Sequence, residues 1–135
     1  MDTRKDLLER LPVILARFSE ISFAYLFGSM AEGRERQQSD IDIAIYVRPD
    51  LKIDRLELSS ILSAELEGVA DLVILNQAPP AVCHQVLKTG VLLIERIPEE
   101  RKRFEVVARK LYEDYLYLHK RYMTSLRREY GKNYG

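Results

Sequence analysis

The run Phe27-Gly28-Ser29-Met30-Ala31-Glu32-Gly33-Arg34-Glu35-Arg36-Gln37-Gln38-Ser39-Asp40-Ile41-Asp42-Ile43-Ala44-Ile45-Tyr46-Val47 decides how the rest of the chain is read. It begins where one apolar run, Ile21 to Phe27, stops at a Gly-Ser pair, and it ends in a second apolar run headed by two aspartates. A strand that stops at Gly28-Ser29 and gives way to Met30-Ala31-Glu32 predicts a strand-to-helix turn. Backbone N–H groups at such a turn face a phosphate, and glycine lets the chain approach it closely.

The second half of the stretch carries the acid chemistry. Side chains alternate along a strand, so Asp40 and Asp42 point to one face while Ile41, Ile43 and Ile45 point to the other. At the strand rise the two aspartates stand roughly 7 Å apart at their backbones and can converge on one site. Their mutual repulsion makes them poor neighbours in a dry core unless a cation joins them. Hard oxygen ligands beside a nucleotide favour magnesium over zinc.

With Gly28-Ser29, ten intervening residues and Asp40-Ile41-Asp42, the chain resembles the polymerase-beta-type nucleotidyltransferases. The pattern is the more specific Gly-Ser-x-Ala-x-Gly-x5-Ser-Asp-Ile-Asp of their small stand-alone members, the minimal nucleotidyltransferases (MNT) that act as antitoxins in HEPN/MNT pairs. The resemblance covers Ile21 to about Leu75 well and the C-terminal segment only loosely. It implies an α/β (α+β) fold: a small mixed nucleotidyltransferase-type sheet flanked by helices. It also implies ATP as co-substrate and two magnesium ions, with Asp40, Asp42 and a third carboxylate as metal-binding and catalytic residues. Asp71, in Val69-Ala70-Asp71-Leu72-Val73-Ile74, stands at the family's third position. Gly28 and Ser29 then hold the terminal phosphates, and Asp71 completes the catalytic ion and helps remove a proton from the acceptor hydroxyl.

Composition narrows the class. A chain of 135 residues suits one domain, with a core over about 20–95 and a C-terminal helix over about 99–128. Lys plus Arg and Asp plus Glu number 21 each, so no long-range field favours a polyanion and generic nucleic-acid binding is not expected. The single cysteine, Cys83, excludes an internal disulfide framework and a cysteine-built zinc site. No apolar run approaches the length of a membrane span, which points to a soluble, cytoplasmic protein.

Taken in order, Lys5 to Phe18 has the apolar spacing of a helix, with Pro12 as a start or a kink. Ile21–Phe27 reads as a first strand, Met30–Glu32 as a short helix and Gly33–Gln38 as a loop. Ile41–Arg48 is the second strand, and Asp54–Leu66 a helix that Asp54 caps and Gly68 ends. Val69–Leu75 is the third strand, Pro79-Pro80 opens a helix to about Lys88, and Val91–Ile94 is a short fourth strand. In the last third, Phe104, Ala108, Leu111, Tyr115, Leu118, Tyr122 and Ser125 recur at steps of four and three, and six of the eight tyrosines lie at or beyond Tyr112. One long helix follows, its stripe either packed on the sheet or serving in part as a partner-binding face.

Other residues keep two readings. Arg34 and Arg36 are candidates for phosphate contact or for solvated loop positions, and Ser39 closes the turn before the second strand. His84 and His119 read as packed or solvent-facing rather than metal-bound. Lys120, Arg121, Arg127, Arg128 and Lys132 complement a helix dipole or meet an acidic partner or RNA.

The donor motif leaves the acceptor open, and the chain has no room for a separate acceptor-binding domain. The resemblance implies a protein acceptor: a tyrosine of a partner HEPN ribonuclease toxin, AMPylated and so neutralised, in a hetero-oligomeric complex. The competing expectations are an antitoxin that acts by occlusion alone and a transferase acting on a small molecule such as an aminoglycoside.

Overall fold

The computed structural model describes residues 4–29, 31–33 and 40–134, with the side chains of 132–134 left aside. Its elements are α1 (Arg4–Leu15), β1 (Ile21–Phe27), β2 (Ile41–Val47), α2 (Arg55–Leu66), β3 (Ala70–Ile74), a 3-10 turn (Leu75–Gln77), α3 (Pro80–Thr89), β4 (Val91–Glu95) and α4 (Pro98–Tyr134). The four strands form one mixed sheet in the order β3-β2-β1-β4. β1 pairs antiparallel with β2 and with β4, whereas β2 pairs parallel with β3. The parallel pair follows from α2, since two parallel neighbours need a crossover of a dozen or so residues between them. The expected α/β architecture, with its long C-terminal helix, is borne out.

Alternation along the strands builds two cores. Ile41, Ile43 and Ile45 of β2, with Ala24 and Leu26 of β1, face the layer of α1 and α2, meeting Leu7, Leu11 and Leu15 and then Leu58, Leu62 and Leu66. Phe23, Tyr25 and Ala44 face α3 and the start of α4, meeting Cys83, Val86 and Ala108. The second layer is aromatic: Phe23 stacks on Tyr46 at 4.8 Å, and Phe104 of α4 tilts against both rings at 5.5 and 5.4 Å. Three polar bonds root α4 beside it. The Tyr25 hydroxyl donates to Glu105 (2.6 Å), the Ser22 hydroxyl donates to Glu100 (2.8 Å), and Arg101 bridges Glu105 and Glu95.

Pro12 lies inside α1, where it leaves the Leu8 carbonyl without its helical donor. That loss, about 3 kcal/mol in a helix interior, is outweighed by the burial of Leu7, Leu11, Ile14 and Leu15, each contributing roughly 1.5–3 kcal/mol.

Three expectations need correction. α2 is capped by Asp54, which accepts from the Glu57 N–H at 3.1 Å, but its left-handed end residue is Glu67 (φ 53°) and not Gly68. The Ser63 carbonyl takes both the Glu67 and the Gly68 N–H, which fixes the turn one residue early. The expected helix near Met30–Glu32 is a single turn over 31–33, with Met30 outside the described residues. The C-terminal helix runs on to Tyr134, and its stripe packs on the sheet only through Phe104 and Ala108. No helix among the described residues is long and apolar enough to cross a membrane.

Candidate active site

The Gly-Ser turn is held from behind. Gly28 (φ 77°) swings the chain out of β1, and its carbonyl accepts the Glu32 N–H at 3.2 Å, closing one turn. Ala31 inside that turn is buried in the first core, and Arg4 of α1 donates to the Ala31 carbonyl at 3.0 Å. The amides after β1 are thus presented by a turn that is tied to the body at both ends.

The aspartates meet this turn through sheet register. Asp42 lies opposite Phe27 on β1 and opposite Asp71 on β3. In-register neighbours on adjacent strands share a face, so Asp42 and Asp71 stand on one face about 4.8 Å apart at their backbones. Asp40, two residues before Asp42, falls on the same side by alternation. Gly28 completes the contact, because a Cβ built there would lie 2.4 Å from Asp42 Oδ2. The glycine that the sequence assigns to phosphate approach is required first by the Asp42 carboxylate.

Asp42 is half-buried, whereas Asp40 and Asp71 are exposed. Burial, then the charge of Asp71, then that of Asp40, push the Asp42 carboxyl above the ordinary aspartate value. Three carboxylates in electrostatic range of one another, with oxygen the only donor type, suit a hard divalent cation. Among the described residues no three acidic, His or Cys side chains already stand close enough to grip an ion. Like charges splay apart by themselves, and the exposed Asp40 and Asp71 can turn inward without repacking a core.

Asp71 has supports that the sequence reading missed. The Ser63 hydroxyl of α2 accepts the Ala70 N–H (3.0 Å), the Ser59 hydroxyl donates to the Ala70 carbonyl (2.9 Å), and Arg55 Nε donates to the Leu72 carbonyl (2.9 Å). These three residues recur every fourth position of α2, one helical face, and they fix the backbone on both sides of Asp71. Their signal was visible as polar residues at i, i+4 and i+8 on a helix that packs beside a strand. Ala70 is buried, so Ser63→Ala strands its N–H and is expected to destabilise the fold by about 1–2 kcal/mol in urea denaturation.

The remaining candidates fall elsewhere. Arg34, Arg36 and Ser39 lie outside the described residues. His84 of α3 stacks on Tyr112 of α4 at 3.8 Å, and His119 stacks on Tyr115 at 5.9 Å, both away from the aspartates in the sequence and in the sheet. Cys83 is buried, and burial pushes its thiol up, which suits a packing role rather than a nucleophile. An apolar cleft lined by Tyr46, Leu75, Cys83, Phe104 and Leu111 shares the sheet face of Asp42 but opens at the far end of β2.

Gly28 packed on strand-borne Asp42, with Asp40 two residues before it and Asp71 in register next door, is the layout expected of a nucleotidyltransferase donor site. Residues 9–99 match the polymerase beta nucleotidyltransferase family, and the chain belongs to that family. It is 39% identical over 72 residues to the protein adenylyltransferase MntA of Shewanella oneidensis, a match over 53% of this chain and 52% of that protein. The chain thus spans about half the length of the curated relative it matches. Among solved structures it resembles a toxin-antitoxin with AMP-PNP, with TM-score 0.76 and 25% identity over 88% of this chain and 97% of that one. It shares the fold of a chain in the complex of tri-AMPylated Shewanella oneidensis HEPN toxin with MNT antitoxin, with TM-score 0.72 and 23% identity over 92% and 98% of the two chains. The resemblance to the minimal nucleotidyltransferases read from the sequence is borne out.

Proposed function

We propose that this chain is a cytoplasmic antitoxin that moves AMP from ATP to a tyrosine of a partner HEPN-type ribonuclease and so silences it. The observation that carries the reading is the register of Asp42 with Asp71 beside Gly28, which gathers carboxylates suited to a metal-bound triphosphate next to the Gly-Ser turn. The relative MntA is a protein adenylyltransferase, and the similar solved structures are a toxin-antitoxin with AMP-PNP and an AMPylated HEPN toxin bound to its MNT antitoxin. Both favour a protein acceptor over a small molecule. All 135 residues serve one domain, in which residues about 20–95 carry the donor site.

Each part of the transfer has a residue. The turn amides and the Ser29 hydroxyl hold the terminal phosphates, and Arg34 and Arg36 follow closely enough in sequence to join them. Asp40 and Asp42 would hold magnesium for the triphosphate, and Asp71 would join them in holding a second ion. Magnesium, when bound, neutralises the developing charge on the phosphates and lowers the pKa of an oxygen it touches. The acceptor phenol oxygen bonds to the α-phosphorus as the bond to the β-phosphate oxygen breaks, and pyrophosphate leaves. Asp71, exposed like Asp40, serves as a ligand of the second ion and helps remove the phenol proton.

The test is the intact mass of the partner ribonuclease after incubation with this chain, ATP and magnesium. The expected result is a gain of whole AMP units with the wild type and none with Asp40→Asn. A wild-type chain that forms the complex but adds no mass overturns the enzymatic reading and leaves an antitoxin acting by occlusion.

A further inference from the structure

The stripe on α4 outlasts the body it could pack against. Ala108 is the last described residue of α4 to be buried, and beyond it Leu111 is 50% exposed, Leu118 62% and Tyr122 62%. From Arg109 to Tyr134 the helix extends roughly 39 Å at 1.5 Å per residue. The steps of four and three nevertheless continue unbroken through Leu111, Tyr115, Leu118 and Tyr122. That spacing is the seam of one helix packed along others, and beyond Leu111 nothing among the described residues covers it.

Charge selects what does. The whole chain balances 21 bases against 21 acids, yet from Leu111 to Arg128 Lys120, Arg121, Arg127 and Arg128 stand against only Glu113 and Asp114. A helix dipole accounts for cations in the last turn, and Lys120 and Arg121 lie more than three turns from Tyr134. Arg121 and Arg128 flank the stripe on one side and Lys120 and Arg127 fall on the opposite face, so none interleaves with its rings as stacking on nucleic-acid bases would require. A second copy does not answer them either. In a parallel pair Arg121 and Arg128 face the Tyr112, His119 and Leu126 flank, and in an antiparallel pair they face each other with only Asp114 as a counter-charge.

We propose that α4 from Leu111 to Arg128 is the helix by which the chain docks on its partner protein. The stripe seats in an apolar groove between partner helices, and Arg121 and Arg128 meet carboxylates on the rim of that groove. Tyrosine and arginine at the centre and edge of such a seam are the residue types that dominate interface energetics. The identity of the partner as a HEPN-type ribonuclease rests on the function proposed above, whereas the groove and its acidic rim rest on α4 alone.

The test uses Leu118→Glu and the pair Arg121→Glu, Arg128→Glu, all exposed positions outside the donor site, titrated calorimetrically against the HEPN-type ribonuclease proposed above as the partner. Leu118→Glu is expected to weaken the complex by about 10- to 100-fold. The charge-reversed pair is expected to weaken it about tenfold and to lose most of its salt dependence. At protein concentrations above the weakened Kd, both variants should still add AMP to the ribonuclease. Unchanged affinity in both variants overturns the proposal, as does a wild-type homodimer, seen in sedimentation, that Leu118→Glu splits. A complex that weakens as expected while no variant, nor the wild type, transfers AMP keeps the docking helix and removes only the enzymatic reading.

Discussion

Asp42→Asn is expected to reduce AMP transfer by on the order of 10³-fold or more and, at neutral pH, to make the protein more stable. The loss of activity follows from removing the only half-buried carboxylate of the trio, the one that Gly28 packs against and that both Asp40 and Asp71 repel. The gain in stability follows from the same repulsion. Folding raises the Asp42 carboxyl above its unfolded value, so below the unfolded value Asp42 is neutral in both states and the fold suffers nothing from it. As pH rises through the folded value, the folded state must carry a charge that burial, Asp71 and Asp40 all disfavour, and stability is lost. Asparagine keeps the shape without the charge, so the variant's melting temperature should exceed the wild type's near neutral pH. The difference should vanish below the ordinary carboxylate range. Magnesium should raise the wild-type melting temperature and leave that of the variant nearly unchanged. A variant that melts lower than wild type at neutral pH, or that still transfers AMP, contradicts this account of the site.

Gly28→Ala is the second large effect, and it separates strain from contact. Gly28 has φ 77°, where a side chain costs about 1–2 kcal/mol, and the added Cβ would stand 2.4 Å from Asp42 Oδ2. The carboxylate must move, and a displacement of about 1 Å at a reacting centre lowers activity by about 10²-fold. Gly33 supplies the control, since its φ is 73° but a Cβ there would meet nothing within 4 Å. Gly33→Ala should therefore show a similar destabilisation in urea and keep most of its transfer rate. Equal activity losses in the two variants would mean that backbone strain, not the Asp42 contact, sets the requirement for glycine.

Much of this was legible in the chain because it is local. The alternation of Ile41, Ile43 and Ile45 against Asp40 and Asp42 fixes a strand and its faces within six residues, and β2 begins at the first of those isoleucines. The helix cap at Asp54 is equally local. What the chain alone does not show is pairing at a distance. Asp71 opposite Asp42 is a matter of register between strands joined through α2, and the hold of Ser59 and Ser63 on Ala70 depends on which side of β3 that helix lands. The α4 stripe shows the same limit from the other side. Its period announces an apolar seam, but only the extent of the sheet decides that Ala108 is covered and Leu118 is bare.

The face of α2 that carries Arg55, Ser59 and Ser63 also governs how an acceptor can arrive. The outer rim of β3 is where an extended peptide would add itself as a fifth strand beside Asp71, but the Ala70 N–H and carbonyl and the Leu72 carbonyl are already engaged there. Next to Asp71 a substrate segment would have to displace those bonds to pair with the sheet. On the function proposed above, the acceptor tyrosine comes down over the face of the sheet with its phenol foremost, its own backbone anchored on another surface. Which tyrosine is modified is then set by how two folded bodies are seated together, and only weakly by the residues on either side of it.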